Sequence, residues 1–224
     1  MKYPFRKISV MWRSSRGESR VSIGHITVAG NGNISFLYDK EGLQEAKRKS
    51  PEFSGYPGIP FSESPIEDSD YLKSLFALRL INLEREDRKE LLDFWLLDDN
   101  LASDPIMLLA MTQGMSMSDM FEFVPSFQRE SKNKQAFITD IAGLTITKYD
   151  ISALKSGDRL QFEKQPDNIK DPFAIIVLYD GNPIGWIKRG HNYLFKGRKN
   201  GIKLTVHKVV NNAVYPKLYV KVVY

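Results

Sequence analysis

The chain has 224 residues, enough for one or two domains that each bury a core. Hydrophobic residues make up 42% and charged residues 26%, and the absence of Cys excludes disulfides, thiolate nucleophiles and cysteine-held metals, which fits a reducing, cytoplasmic setting. The net charge of +5 is unevenly spread: residues 1–130 hold 16 Lys/Arg against 20 Asp/Glu, residues 131–224 hold 16 against 7, and residues 181–224 carry nine bases and no acid. A one-signed stretch of that length is read either as a surface for a polyanion or as a lysine-solvated face.

The opening MKYPFRKISVMWRSS is basic, but Trp12 and Arg13 break its apolar stretch, so no signal peptide is expected. No apolar run approaches the roughly 20 residues that span a bilayer. Strands are expected at 8–12, 21–28 and 34–38, with a turn at Gly30-Asn31-Gly32-Asn33, giving a three-strand meander. Asp39 is placed to cap a polar helix over 40–49. The punctuated Ser54–Ser62 stretch, with its YPGIP core, reads as a shaped loop.

From Ser69 the period becomes helical through Tyr71, Leu72, Leu75 and Phe76, and again through Leu91, Leu92, Trp95 and Leu96. Ser103-Asp104-Pro105 starts another helix, which Gly114 stops. The methionines at 107, 111, 115, 117 and 120 fill a core or offer an adaptable surface. The polar stretch 126–135 is read as a linker. Beyond it, strands are expected at 136–141, 159–164, 174–179, 183–187, 202–210 and 218–224, with a hairpin turn at Asp180-Gly181-Asn182 and a short helix near 190–197. A small β-barrel is the economical solution, so the fold class expected is α+β: a strand meander with helices over 1–125, then a mostly-β barrel over 136–224.

Motifs for catalysis are absent. There is no phosphate-binding P-loop, no Gly-x-Ser-x-Gly elbow and no dinucleotide fingerprint. His25, His191 and His207 lack partners at metal-ligand spacing. The carboxylate pairs Asp68/Asp70 and Asp98/Asp99 are better helix caps than a Mg²⁺ site. A non-enzymatic protein without cofactor or metal is expected.

The informative stretch is 157–189. A strand enters a rigid turn whose Asx side chains, at 167, 168 and 171, bond nearby amides. Their oxygens either point outward as acceptors for base edges and hydroxyls, or serve the turn alone. Trp186 offers a stacking face or joins the core; a stacked base is worth about 1–3 kcal/mol. Lys188 and Arg189 are placed for phosphates, and Lys196, Arg198, Lys199 and Lys203 extend the basic track.

The run GDRLQFEKQPDNIKDPFAIIVLYDGNPIGWIKR resembles a HIRAN domain, with Pro166, Asn168, Asp171, Ala174, Ile175, Ile184, Gly185, Ile187 and Lys188 matching its pattern. The resemblance covers about 136–224 and implies a small β-barrel that binds single-stranded DNA or DNA 3′ ends. It further implies Asn168 and Asp171 facing the terminal nucleotide and Lys188 the backbone. Two positions depart: Lys170 stands where an aromatic is common, and Leu144-Thr145-Ile146 stands at the Arg-aromatic pair of the first strand, making Thr145 the candidate there. Residues 1–125 more faintly resemble the small amino-terminal subdomain of HipA-type kinases, through ITVAGNGNISFLYD and YPGIP, and the front half of bacterial proteins with a carboxy-terminal HIRAN domain. That implies a surface for a protein partner, toxin-antitoxin-like in kind, without phosphoryl transfer. The function expected is thus a DNA-binding accessory protein, with regulation of a kinase-like partner as the alternative.

Overall fold

The computed structural model describes residues 3–116, 119–128, 134–196, 201–211 and 216–224. The chain is α+β and divides into two compact units, Met1–Gln128 and Arg129–Tyr224. No helix among the described residues is long and apolar enough to cross a membrane.

In the first unit, β1 (Phe5–Trp12), β2 (Val21–Val28) and β3 (Ile34–Tyr38) form the expected meander. The Asn31 side chain accepts from the Asn33 amide at 3.0 Å and fixes the β2–β3 turn. Helix α1 (Lys40–Lys49) starts at Asp39, whose Oδ1 accepts from the Gly42 amide at 2.9 Å. Four more helices follow: α2 (Ser69–Ala77), α3 (Arg88–Trp95), α4 (Asp99–Ala102) and α5 (Pro105–Thr112). Asp68 and Asp98 are side-chain caps of α2 and α4, and Asp99 pairs with Arg88. Met107 and Met111 lie in the core.

A fourth strand, β4 (Phe121–Phe127), was not expected. It pairs antiparallel with β1, so the sheet order is β3-β2-β1-β4. Pro125 sits within β4, which suits an edge strand, where a missing N–H leaves no ladder bond unmade. The linker expected at 126–135 is therefore shortened: Ser126 and Phe127 belong to β4, and residues 129–133 lie outside the described residues. Phe76 and Phe123 meet edge to face, as do Tyr56 and Phe121, and Phe36 lies tilted beside Phe76, so rings from sheet, loop and helix form one aromatic core. Tyr38 secures the YPGIP loop from inside, donating to the Ile59 carbonyl at 2.8 Å and accepting from the Tyr56 amide at 3.0 Å.

The second unit contains β5 (Ala136–Asp140), α6 (Leu144–Thr147), a 3₁₀ turn at Ile151–Ala153, β6 (Arg159–Lys164), β7 (Ile175–Tyr179) and β8 (Asn182–Trp186). A second 3₁₀ turn (Asn192–Phe195), β9 (Lys203–Val210) and β10 (Lys217–Val223) complete it. The sheet order is β5-β10-β9-β6-β7-β8, and the sheet curls into a half-barrel. Its two outer strands approach each other at one place. Ala142, just past β5, and Trp186, at the end of β8, exchange both backbone bonds at 2.8 Å. Gly185 makes that approach possible. Its φ is +148°, and a Cβ there would lie 2.4 Å from Ile141 Cγ2 and 2.5 Å from the Ala142 oxygen. Alternate residues Leu204, Val206, Leu218, Val220 and Val222 point inward to join Phe137, Val177 and Phe195. Leu144-Thr145-Ile146 is not on the first strand: β5 ends at Asp140, and these residues form the helical turn α6.

Candidate nucleic-acid interface

The turn that drew attention in the sequence is built from its own side chains. Asn168 Oδ1 accepts from the amides of Lys170 at 3.0 Å and Asp171 at 3.2 Å. Its Nδ2 donates to Gln165 Oε1 at 3.3 Å. Asp171 Oδ1 accepts from the Phe173 amide at 2.9 Å, and its Oδ2 accepts from Asn192 Nδ2 at 2.7 Å. The oxygens of both residues thus take part in the turn. Their task is to shape the turn and bind it to the second 3₁₀ turn.

Trp186 is half-buried, and its Nε1 donates to Gln165 Oε1 at 2.7 Å. Its ring packs on Gly143, where a Cβ would come within 2.6 Å of it. The same ring walls an open cleft of about 530 Å³ together with Ile146, Tyr149 and Pro183, with Lys148 and Asp150 at the rim. Ser152, by its side chain and its amide, holds the Asp150 carboxyl low, so the lining carries an anion as well as the lysine. Apolar walls with a mixed polar rim suit a planar polar ring better than a phosphate. Thr145 is exposed on α6, the turn that carries Ile146.

Lys188 requires a correction. Its side chain is 0% exposed and forms an ion pair with Asp140 of β5. The Lys188 carbonyl accepts from the amides of His191 and Asn192, while its side chain is buried against Asp140. Lys188 is a structural ion pair, not a backbone contact. Arg189, Lys170, Lys196 and Lys203 are exposed, as expected of phosphate-facing groups; Arg198 and Lys199 fall outside the described residues.

The described residues add two features that the sequence reading did not single out. One is a basic outer face. Arg159, Thr205 and Lys221 lie side by side across β6, β9 and β10, pointing away from the inward Leu204 and Val222. Lys203 precedes Thr205 on the same face, and Lys217 and Lys208 extend it beside Tyr219. β9 and β10 contain no acidic residue. The other is an exposed ring pair, Phe173 and Tyr193, with centroids 5.6 Å apart and Lys196 Nζ 4.9 Å from the Phe173 centroid. Ile169, fully exposed, lies on the same loop as Phe173.

No family model, curated protein or solved structure matches this chain.

Two more polar side chains of this unit lie inside. His191 is buried, its ring 4.7 Å from that of Phe137 and its Nδ1 3.1 Å from Thr139 Oγ1. Beside it, Asn192 is buried and donates to Asp171 and to the Phe173 carbonyl at 3.1 Å. These two neighbours anchor the 3₁₀ turn to β5 on one side and to the 165–173 turn on the other.

Proposed function

We propose that the protein is a non-enzymatic accessory factor that holds single-stranded DNA, including 3′ ends, on its second unit. The observation that carries this reading is the outer face of β6, β9 and β10, where Arg159, Lys203, Lys208, Lys217 and Lys221 gather over strands β9 and β10 that have no acid. Such a face attracts phosphates without reading sequence. Arg189, Lys170 and Lys196 add exposed charge elsewhere on the unit. The resemblance of 157–189 to a HIRAN domain supports the same ligand class.

Fluorescence anisotropy with short oligonucleotides, 3′-free or 3′-blocked, tests the proposal. Log affinity should fall linearly with log salt, with a slope near −0.7 for each phosphate engaged, about −3.5 if all five cations of the face take part. Changing Lys203 or Lys221 to Gln should flatten the slope by about 0.7 each. Weaker binding to the blocked oligonucleotide assigns the 3′ end; equal binding assigns the strand alone. No binding to either at low salt overturns the proposal. The alternative role, docking a kinase-like partner through the first unit, rests on the exposed side chains of Phe61, Tyr71 and Leu78. Co-purification of such a partner that survives Leu78→Lys and Phe61→Lys would count against it.

A further inference from the structure

Phe173 and Tyr193 belong to different loops, yet they stand together with 41% and 51% of their surface exposed. One buried side chain sets both. Asn192 Nδ2 donates to the Phe173 carbonyl at 3.1 Å and to Asp171 Oδ2 at 2.7 Å, while its Oδ1 accepts from the Gly190 amide at 3.0 Å. Beneath Tyr193, Leu194 and Phe195 are buried, and Phe195 packs edge to face on Phe162 at 5.0 Å. Asp171, the acid nearest the rings in sequence, turns its carboxylate inward to Asn192 and to the Phe173 amide. Two exposed rings whose backbones are held this firmly lose little backbone freedom when a flat partner settles on them.

We propose that Phe173 and Tyr193 form a stacking ledge for an unpaired nucleobase, with Lys196 meeting the phosphate attached to it. This rests on the single-strand reading above and assigns that strand's base contact. Every base has a π-face, so a ledge of this kind accepts any sequence. Lys196, its Nζ over the Phe173 ring at 4.9 Å from the centroid, favours a base carried on a phosphate over an apolar protein segment. A base paired and stacked inside a duplex cannot present its face, so the ledge selects single strands.

The test compares a labelled short oligothymidylate with an abasic strand of the same length, which has the same phosphates and no bases, on the full-length protein. The wild type should bind the thymidylate more tightly. Tyr193→Ala and Phe173→Ala should each weaken thymidylate binding about tenfold, leave abasic binding unchanged and leave the salt slope unchanged. Tyr193→Phe should retain wild-type affinity. Lys196→Gln should flatten the slope by about 0.7 and keep the preference for bases. Where an alanine variant melts early, Phe173→Leu and Tyr193→Leu keep the apolar volume without the ring and decide the same question. Equal wild-type affinity for both strands overturns the ledge alone, as does a preference for bases that survives loss of the rings. Binding to neither strand overturns the single-strand reading, and the ledge with it.

Discussion

Replacing Gly185 by Ala should open the second unit at the place where β8 meets the chain beyond β5. The added methyl would lie 2.4 Å from Ile141 Cγ2 and 2.5 Å from the Ala142 carbonyl oxygen, the acceptor of the Trp186 amide. Both distances are well inside van der Waals contact, so either the Ile141 side chain and the Ala142 backbone move together or the two strands part. Overpacking of this kind costs about 1–3 kcal/mol. Losing the paired 2.8 Å bonds between Ala142 and Trp186 adds about 0.5–1.5 kcal/mol for each. The total is about 2–6 kcal/mol, before any strain from forcing a side chain to φ +148°. For a unit of this size each kcal/mol shifts Tm by about 4–8 °C, so the melting transition should fall by about 8 °C or more. Thermal denaturation followed by circular dichroism measures the fall, and hydrogen exchange at the amides of Ala142 and Trp186 locates it. Gly181→Ala is the control: its φ is +77°, but no heavy atom lies within 4 Å of the new methyl, so only local backbone strain is added. If the two variants melt alike, the close approach at Gly185 has no energetic weight and the reasoning is wrong.

Lys188→Met should destabilise by about 3–5 kcal/mol in urea denaturation, because it strands the Asp140 charge, and the double variant with Asp140→Leu should recover much of the loss. Tyr38→Phe should cost about 1–3 kcal/mol, since it leaves the Ile59 carbonyl and the Tyr56 amide without their buried partner; proteolysis in the 54–62 loop should accelerate with it. Burial, and then the charge of Lys7, lower the pKa of His25 below its ordinary 6.5. The unfolded chain therefore takes up the proton first, so stability is full above about pH 6.5 and declines as pH falls below it. Equilibrium denaturation across that range should show the decline flattened in His25→Gln.

Local chemistry made the first half of the molecule readable. Asp39 and Asp104 are placed where a cap is needed, the Asn31-Gly32 turn fixes its hairpin, and strands β2 and β3 run over the residues their alternation predicts. β4 escaped notice because Pro125 and the polar residues after it argue against a strand, and only its partner β1 gives Phe121–Phe127 a reason to extend. The site was legible in kind and less so in detail. The Asx turn is a local pattern that Asn168 serves through the amides of Lys170 and Asp171, yet the inward turn of the Asp171 carboxylate depends on Asn192, more than twenty residues away, which no local pattern connects to it. Lys188 read as surface because it follows a strand among basic neighbours; its burial is decided by Asp140 on β5. The lysine face, by contrast, lay open in the sequence, where Lys203, Thr205 and His207 alternate with Leu204 and Val206, and Lys217, Tyr219 and Lys221 alternate with Leu218 and Val220. Tyr193 also left a trace: in Asn-Tyr-Leu-Phe, one tight turn cannot direct every apolar side chain inward.

The pairing of β5 with β10 also sets a timetable for synthesis. Gln135 and Tyr224 exchange backbone bonds, and the Tyr224 hydroxyl donates to Gln135 Oε1, although the two residues are 89 positions apart. β5 therefore emerges from the ribosome long before its neighbour exists, by roughly 4 to 18 s at ordinary translation rates. During that interval Phe137 and Ile138, both destined for the core, have no strand beside them. In the first unit β4 also returns from afar, Trp12 and Phe121 being 109 positions apart, but β1 already has β2 beside it, and β4 is made before β5. A nascent chain paused before β10 should therefore hold a finished first unit and an unzipped second one, the stage at which a chaperone has most to cover.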